Sequence, residues 1–326
     1  MANYVIDVKN IKGSIYEIKA AFLYSPKGVL QYLLDQKVNL EDVFSIFDRR
    51  NIYIDFNIVA QNLIDLNQEE LIEKYLNYFL RENTKILEFK NIIKNTKINI
   101  NNVNNFINNN KDSVIKEITA ETIDYLKDEK LYNFFKILIE ELLENENKKY
   151  SDIELIGEGG FSKVFGIGSK ILKVGDERQT FNIKNNKLFL KPLYRTKIET
   201  DYRNFCIEIT EKVDTENITE DDVYQVYKQL RDDGIYWDDA KITNVGRLLK
   251  DNKIYFDGVD FVDKKSTGYT TDNFEILPKG SLVLLDVDHL YDADDFFKNR
   301  DYDFYLKNNP YELRYVKEKE ENKLNR

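Results

Sequence analysis

Apolar residues recur at helical intervals through the first 148 residues of the chain and then give way to short, strand-like runs. Ser25-Pro26 reads as an N-cap with proline at the first helical position. Val29, Leu30, Leu33 and Leu34 share a face behind it. A second helix starts at Asn39. Asn67-Gln-Glu-Glu70 has capping-box spacing, and Ile72, Tyr75, Leu76, Phe79 and Leu80 follow with helical periodicity. The Asn-rich stretch from Asn91 to Asn110 reads as either a loop or a short helix. From Ala120 to Glu144 runs the longest stripe, with Ile123, Leu126, Leu131, Phe134, Phe135, Leu138, Leu142 and Leu143. Stripes of this kind predict the packed interior of an all-α domain over residues 1–148, and the polar run Glu144 to Lys149 predicts its boundary.

Residues 149–326 have a different texture. Ile153 to Gly157 and Lys163 to Gly166 flank a glycine turn, and Ser169 to Val174 forms a third strand. Phe189 to Lys197 and Phe205 to Glu211 complete an antiparallel sheet of about five strands. Thr219-Glu-Asp-Asp222 then caps a helix with Val223, Val226, Tyr227 and Leu230 on one face, and Gly234 ends it. A small sheet followed by a helix is an α+β pattern.

Composition narrows the chemistry. One cysteine, Cys206, allows no intramolecular disulfide, and with the single histidine, His289, it cannot form a Cys/His zinc site. A metal would have to be held by oxygens. A net charge of -10 argues against nucleic acid or an anionic membrane as partner. No basic segment leads into an apolar one at the N-terminus, and there is no uncharged apolar run of about 18 residues. These features predict a cytoplasmic protein, or one delivered to a host cell without a cleaved signal.

The candidate chemistry begins at Gly157, where three glycines fall within four residues, a turn that lets backbone amides approach phosphates closely. Lys173 lies on the following strand. After the capped helix, Asp239, Lys241 and Asn244 stand at relative positions 0, +2 and +5. Phosphoryl transfer calls for a carboxylate beside the attacking hydroxyl, a cation near the migrating group and an amide oxygen on Mg²⁺, and these residue types answer those needs. A second metal carboxylate comes from Asp286, at the end of the apolar strand Leu282 to Leu285, or from Asp257. The buried-strand pattern ahead of Asp286 favours it.

Ile156-Gly-Glu-Gly-Gly-Phe-Ser-Lys-Val-Phe165 resembles the glycine-rich loop of the protein-kinase superfamily, with Ser162 in place of the third glycine. Lys173 is similar to that family's strand lysine, residues 239–244 to its catalytic loop, and Asp286 to its metal aspartate. The likeness spans roughly residues 150–295. It implies a two-lobed kinase-like fold with a reduced C-lobe, and ATP and Mg²⁺ as cofactors. Ile156, Gly157, Gly159, Gly160, Ser162, Val164 and Lys173 would hold the nucleotide, and Glu211 to Val213 would offer backbone groups to adenine. Asp239 and Lys241 would be catalytic, with Asn244 and Asp286 on the metal. The implied activity is that of a compact, atypical Ser/Thr protein kinase acting on a protein substrate. The alternatives are a small-molecule kinase of the same fold and an inactive scaffold.

Departures from the family are as informative. Trp237 and Asp238 stand where a typical member has His and Arg, which removes the arginine that would receive an activation-loop phosphate. Asp286-Val-Asp288 lacks the glycine of the metal element. Only about 15 residues separate Lys173 from the strand at Phe189, which implies that the usual helix bearing a glutamate partner for the lysine is short or missing. Glu177 is the nearest carboxylate, and it follows Lys173 too closely for that role.

Overall fold

The computed structural model describes residues 24–40, 43–44, 55–82, 85–123, 129–159, 162–176, 188, 190, 192–198, 205–255, 274–285 and 289–324. The protein is α+β, and the chain divides into two compact units, Met1–Glu158 and Gly159–Arg326.

Helices fill the first unit: α1 (Pro26–Asp35), α2 (Phe56–Asp65), α3 (Glu69–Lys74), α4 (Leu76–Glu82), α5 (Ile86–Ile93), α6 (Ile100–Asn109), α7 (Lys111–Ile123) and α8 (Glu129–Asn145). Strand β1 (Glu154–Glu158) follows a 3₁₀ turn. The periodic residues do what the stripes predict: Ile72, Leu76, Phe79, Leu80, Phe135 and Leu143 are buried. Phe44, Phe56 and Phe79 meet edge to face, with centroids 5.5–6.1 Å apart. Between Asn91 and Asn110 the helix reading holds, because the Asn99 side chain accepts from Asn101 N–H and caps α6. The expected helix from Ala120 begins only at Glu129, after α7 and a stretch outside the described residues.

Two predicted caps are corrected. The Ser25 side chain makes no capping bond, although Pro26 does open α1. Asn67 does not cap α3. It takes a positive φ of 56° and closes α2 instead, with Asn67 N–H bonded to Ile64 O and Gln68 N–H to Leu63 O. One buried carboxylate does a cap's work from a distance. Glu117 on α7 accepts the Leu87 and Glu88 amides at 2.7 and 3.0 Å, satisfying the open N-terminus of α5.

In the second unit, β2 (Ser162–Ile167), β3 (Lys170–Asp176), β4 (Tyr194–Ile198) and β5 (Phe205–Glu211) lie in the antiparallel order β2, β3, β5, β4. β4 is shorter than the predicted run from Phe189. Leu188 and Leu190 exchange backbone bonds with Leu284 instead, and Leu188 is buried in a different core. One face of these strands is apolar and sealed, with Phe165, Leu172, Phe205 and Ile207 each 1% exposed or less. The other is half-exposed.

The chain then forms β6 (Val213–Asp214), α9 (Glu220–Asp232), β7 (Ile235–Trp237), β8 (Val245–Leu248), β9 (Asn252–Tyr255), β10 (Phe274–Leu277), β11 (Leu282–Leu284) and β12 (Leu290–Asp292). The helices α10 (Ala293–Phe297), α11 (Tyr302–Asn308) and α12 (Pro310–Leu324) close the chain. The Thr219 capping box is present in both directions, and Gly234, at φ 78°, ends α9 as its position predicts. β8 pairs with β11 and β6, and β7 pairs with β12. Val223, Tyr227, Leu230, Trp237 and Val245 form the core beneath them.

α12 docks on α9 through Arg231–Glu312, Lys228–Glu318 and Lys319–Asp232. Tyr311 adds a bond to Glu220. Among the described residues no helix is long and apolar enough to cross a membrane.

Candidate functional site

Residues 238–244 connect two buried strands, and the physical reason for the turn is visible in its anchors. β7 is apolar at every position and fully buried, so it cannot continue into a charged sequence. The chain exits at Asp238, whose N–H donates to His289 O at 3.0 Å, and re-enters at Asn244, whose carbonyl accepts from Leu285 N–H at 2.9 Å. The two residues flanking 286–288 are thus tied to the two ends of the loop. Asp286 itself, like Asp257 and Glu177, lies outside the described residues.

Inside the loop the three predicted residues meet. Lys241 Nζ lies 2.6 Å from Asp239 Oδ2. Asn244 Nδ2 donates to the Asp239 carbonyl at 3.1 Å and to Oδ2 at 3.2 Å. Asn244 is 7% exposed, so its amide orientation is fixed by burial as well as by these bonds. Asp239 and Lys241 are open to solvent, their side chains 36% and 50% exposed. Both donors fall on Oδ2, and among the described residues Oδ1 of Asp239 and Oδ1 of Asn244 carry no hydrogen bond. A carboxylate oxygen and an amide oxygen in one loop are thus left without a hydrogen-bond donor among the described residues.

Further support comes from the C-terminal helices. Asn309 Oδ1 accepts the Tyr311 and Glu312 amides, capping α12, while its Nδ2 donates to Tyr236 OH at 3.3 Å and approaches Trp237 O at 3.5 Å. Burial pushes the Tyr236 phenol up to about 12, so it stays a neutral donor, and it reaches Asp238 Oδ1 at 3.4 Å. Nothing in the sequence around Asn309 announces this contact with a strand more than 70 residues earlier.

Strand register groups the predicted nucleotide-binding residues. Val164, Lys173 and Glu208 are direct cross-strand partners on β2, β3 and β5, and Ser162 lies on the same, half-exposed face. Gly159 N–H bonds Ser162 O at 2.9 Å, and a Cβ built on Gly159 would make only an ordinary contact, at 3.8 Å. Ile156 and Gly157 lie on β1 in the first unit, and Gly160 lies outside the described residues. Lys173 is half-buried and has no ion-pair partner among the described residues.

Glu211 and Val213 sit apart from that group. Glu211 points to the sealed face, where Lys170 and Lys250 hold its carboxylate at 2.8 and 2.9 Å. Its backbone is all it could offer to a ligand. Val213 packs against Gly246, where an added Cβ would stand 2.4 Å from Val213 Cγ2.

Among the described residues no group of three His, Cys, Asp or Glu side chains is placed to hold a metal ion. Comparison with protein-family models, curated proteins and solved structures finds no match to the chain.

Proposed function

We propose that the protein is an ATP- and Mg²⁺-dependent phosphotransferase that delivers the γ-phosphoryl group to a Ser or Thr hydroxyl of a protein. The observation that carries this reading is the loop of residues 239–244, which pins one oxygen of Asp239 and leaves the other open beside a lysine and an asparagine amide oxygen. In this role Asp239 Oδ1 accepts the hydroxyl proton as the acceptor oxygen bonds to the γ-phosphorus and the bond to ADP breaks. Lys241 offsets charge on the migrating group. Its contact with Oδ2 keeps the ammonium beside that group and holds the carboxylate in orientation.

Lys173, on β3, would engage the phosphates, with Ser162 on the same face of the sheet. Bound with ATP, Mg²⁺ would supply charge neutralisation on the phosphates. Asn244 Oδ1 would hold it, together with the Asp286 carboxylate that the sequence assigns. The kinase-like two-lobed architecture belongs to this proposal, as does the nucleotide role of the glycine run.

The test is incubation with γ-labelled ATP and Mg²⁺, alone and with cell lysate, for the wild type and Asp239→Asn. Label on a macromolecule in the wild type only supports the reading. Label on a filterable metabolite redirects it to a small-molecule acceptor, and equal label in both proteins removes Asp239 from the chemistry.

A further inference from the structure

In phosphotransferases that use a strand lysine on ATP, the ammonium is held by a carboxylate, and in the sequence between Lys173 and the next strand Glu177, which follows the lysine too closely for that role, is the nearest glutamate. The sheet supplies another route. Lys173 and Glu208 are direct partners in the antiparallel β3–β5 register, so their side chains leave the same face with Cβ atoms about 4.5–5.5 Å apart. Glu208 is in turn the direct partner of Arg195 on β4, whose Nε lies 3.1 Å from Glu208 Oε1. The single N–H at Arg195 Nε also donates to the Cys206 sulfur at 3.3 Å, so it is shared between that sulfur and Glu208. Arg195 and Glu208 are only 29% and 25% exposed in their side chains, so the pair is partly shielded from solvent. Among the described residues Glu208 Oε2 carries no hydrogen bond, and Lys173 has no ion-pair partner.

We infer that Glu208 is the positioning residue for Lys173, a carboxylate held by Arg195 through Oε1 that presents Oε2 to the lysine from the neighbouring strand. One row across the sheet, Arg195, Glu208, Lys173 and Val164, thereby does what a separate helix would do. The assignment rests on the phosphotransferase reading, in which Lys173 engages the phosphates. Its physical content is simple. Lys173 and Glu208 stand outside ion-pair distance in this structure, and a lysine on a flexible four-carbon stem loses less freedom on binding phosphate when a carboxylate on the next strand is within reach to take one side of its ammonium.

The experiment is a double-mutant cycle on binding of MgATP to the full chain, followed by calorimetry, with Lys173→Met, Glu208→Gln and both together. Thermal melts within about 2 °C of wild type certify folding. Glu208→Gln is expected to weaken MgATP binding about tenfold in the wild-type background and less than about twofold in the Lys173→Met background. Glu208→Asp, which keeps the charge and shortens its reach, is expected to fall between wild type and Gln, and it carries the test if Gln perturbs folding. Equal losses in both backgrounds, or no loss in either, overturn the role of Glu208 while the phosphotransferase reading stands. A wild type that binds no MgATP overturns both.

Discussion

Two carboxylates of the second unit stand beside a cation and further donors, and they are treated in opposite ways. Glu312 is fully buried and saturated: Arg231 reaches both oxygens at 2.9 and 3.1 Å, Tyr227 adds a bond to one at 2.6 Å, and Tyr302 a bond to the other at 2.7 Å. Burial opposes the Arg231 charge, but the bonded Glu312 more than offsets it and holds the guanidinium pKa above its ordinary value. Burial, reinforced by the adjacent carboxylate, drives the Tyr227 phenol far above its usual range. Asp239 is half-exposed and receives both its donors on one oxygen. A buried charge that holds helices together uses all of its hydrogen-bonding capacity, because any remainder would be a desolvated lone pair. In the proposed role Asp239 must take a proton, which calls for one open lone pair at the expense of weaker fixation.

The largest effect should come from the saturated cluster. Glu312→Ala strands Arg231 without its partner, which is expected to cost about 3–5 kcal/mol and to lower the melting temperature by about 10 °C. A melt within about 2 °C of wild type would dissolve the contrast from that side. Asp239→Asn should do the reverse, lowering phosphate transfer by about 10²–10⁴-fold while leaving the melt nearly unmoved, since the exposed Lys241 pair contributes only about 0–1 kcal/mol. Loss of folding in this variant would make Asp239 a structural residue.

Smaller effects probe the ground beneath the loop. Gly246→Ala places a Cβ 2.4 Å from Val213 Cγ2. It should destabilise by about 1–3 kcal/mol, and the double variant with Val213→Ala should recover most of that in a denaturant melt.

The smallest expected effect is at the start of α9. Burial works against the Asp222 carboxylate, but bonds from Thr219 and Arg247 outweigh it, so its pKa lies below the ordinary value. A carboxylate with a depressed folded-state pKa stabilises fully above its unfolded value of about 4 and loses that contribution as pH falls through the folded one. Urea midpoints at pH 7, 5 and 3 should therefore drop at the acid end. Thr219→Ala should remove about 1 kcal/mol at neutral pH and flatten the drop.

Much of this was legible because it is local. Thr219 and Asp222 are three residues apart, Gly234 follows a periodic stripe, and Asp239, Lys241 and Asn244 fall within one turn, so spacing alone predicts their meeting. Asn67 misled because the same residue type that caps a helix also tolerates the left-handed conformation that ends one, and only the fold of α2 decided between them. The strand expected from Phe189 misled because an apolar run does not say which sheet will take it. Leu188 and Leu190 bond to Leu284 instead.

By itself the sequence determined the helical first part, the strand-rich second part, the caps of α9 and the composition of the 239–244 loop, since each depends on residues a few positions apart. Tertiary structure alone decided which distant groups complete them. Glu117 caps α5 from 30 residues away, Asn309 holds the strand that precedes the loop, and the β3–β5 register sets Glu208 opposite Lys173. The reason is that strand register and helix docking are fixed by burial of whole faces, and no single residue carries that information in its immediate neighbours.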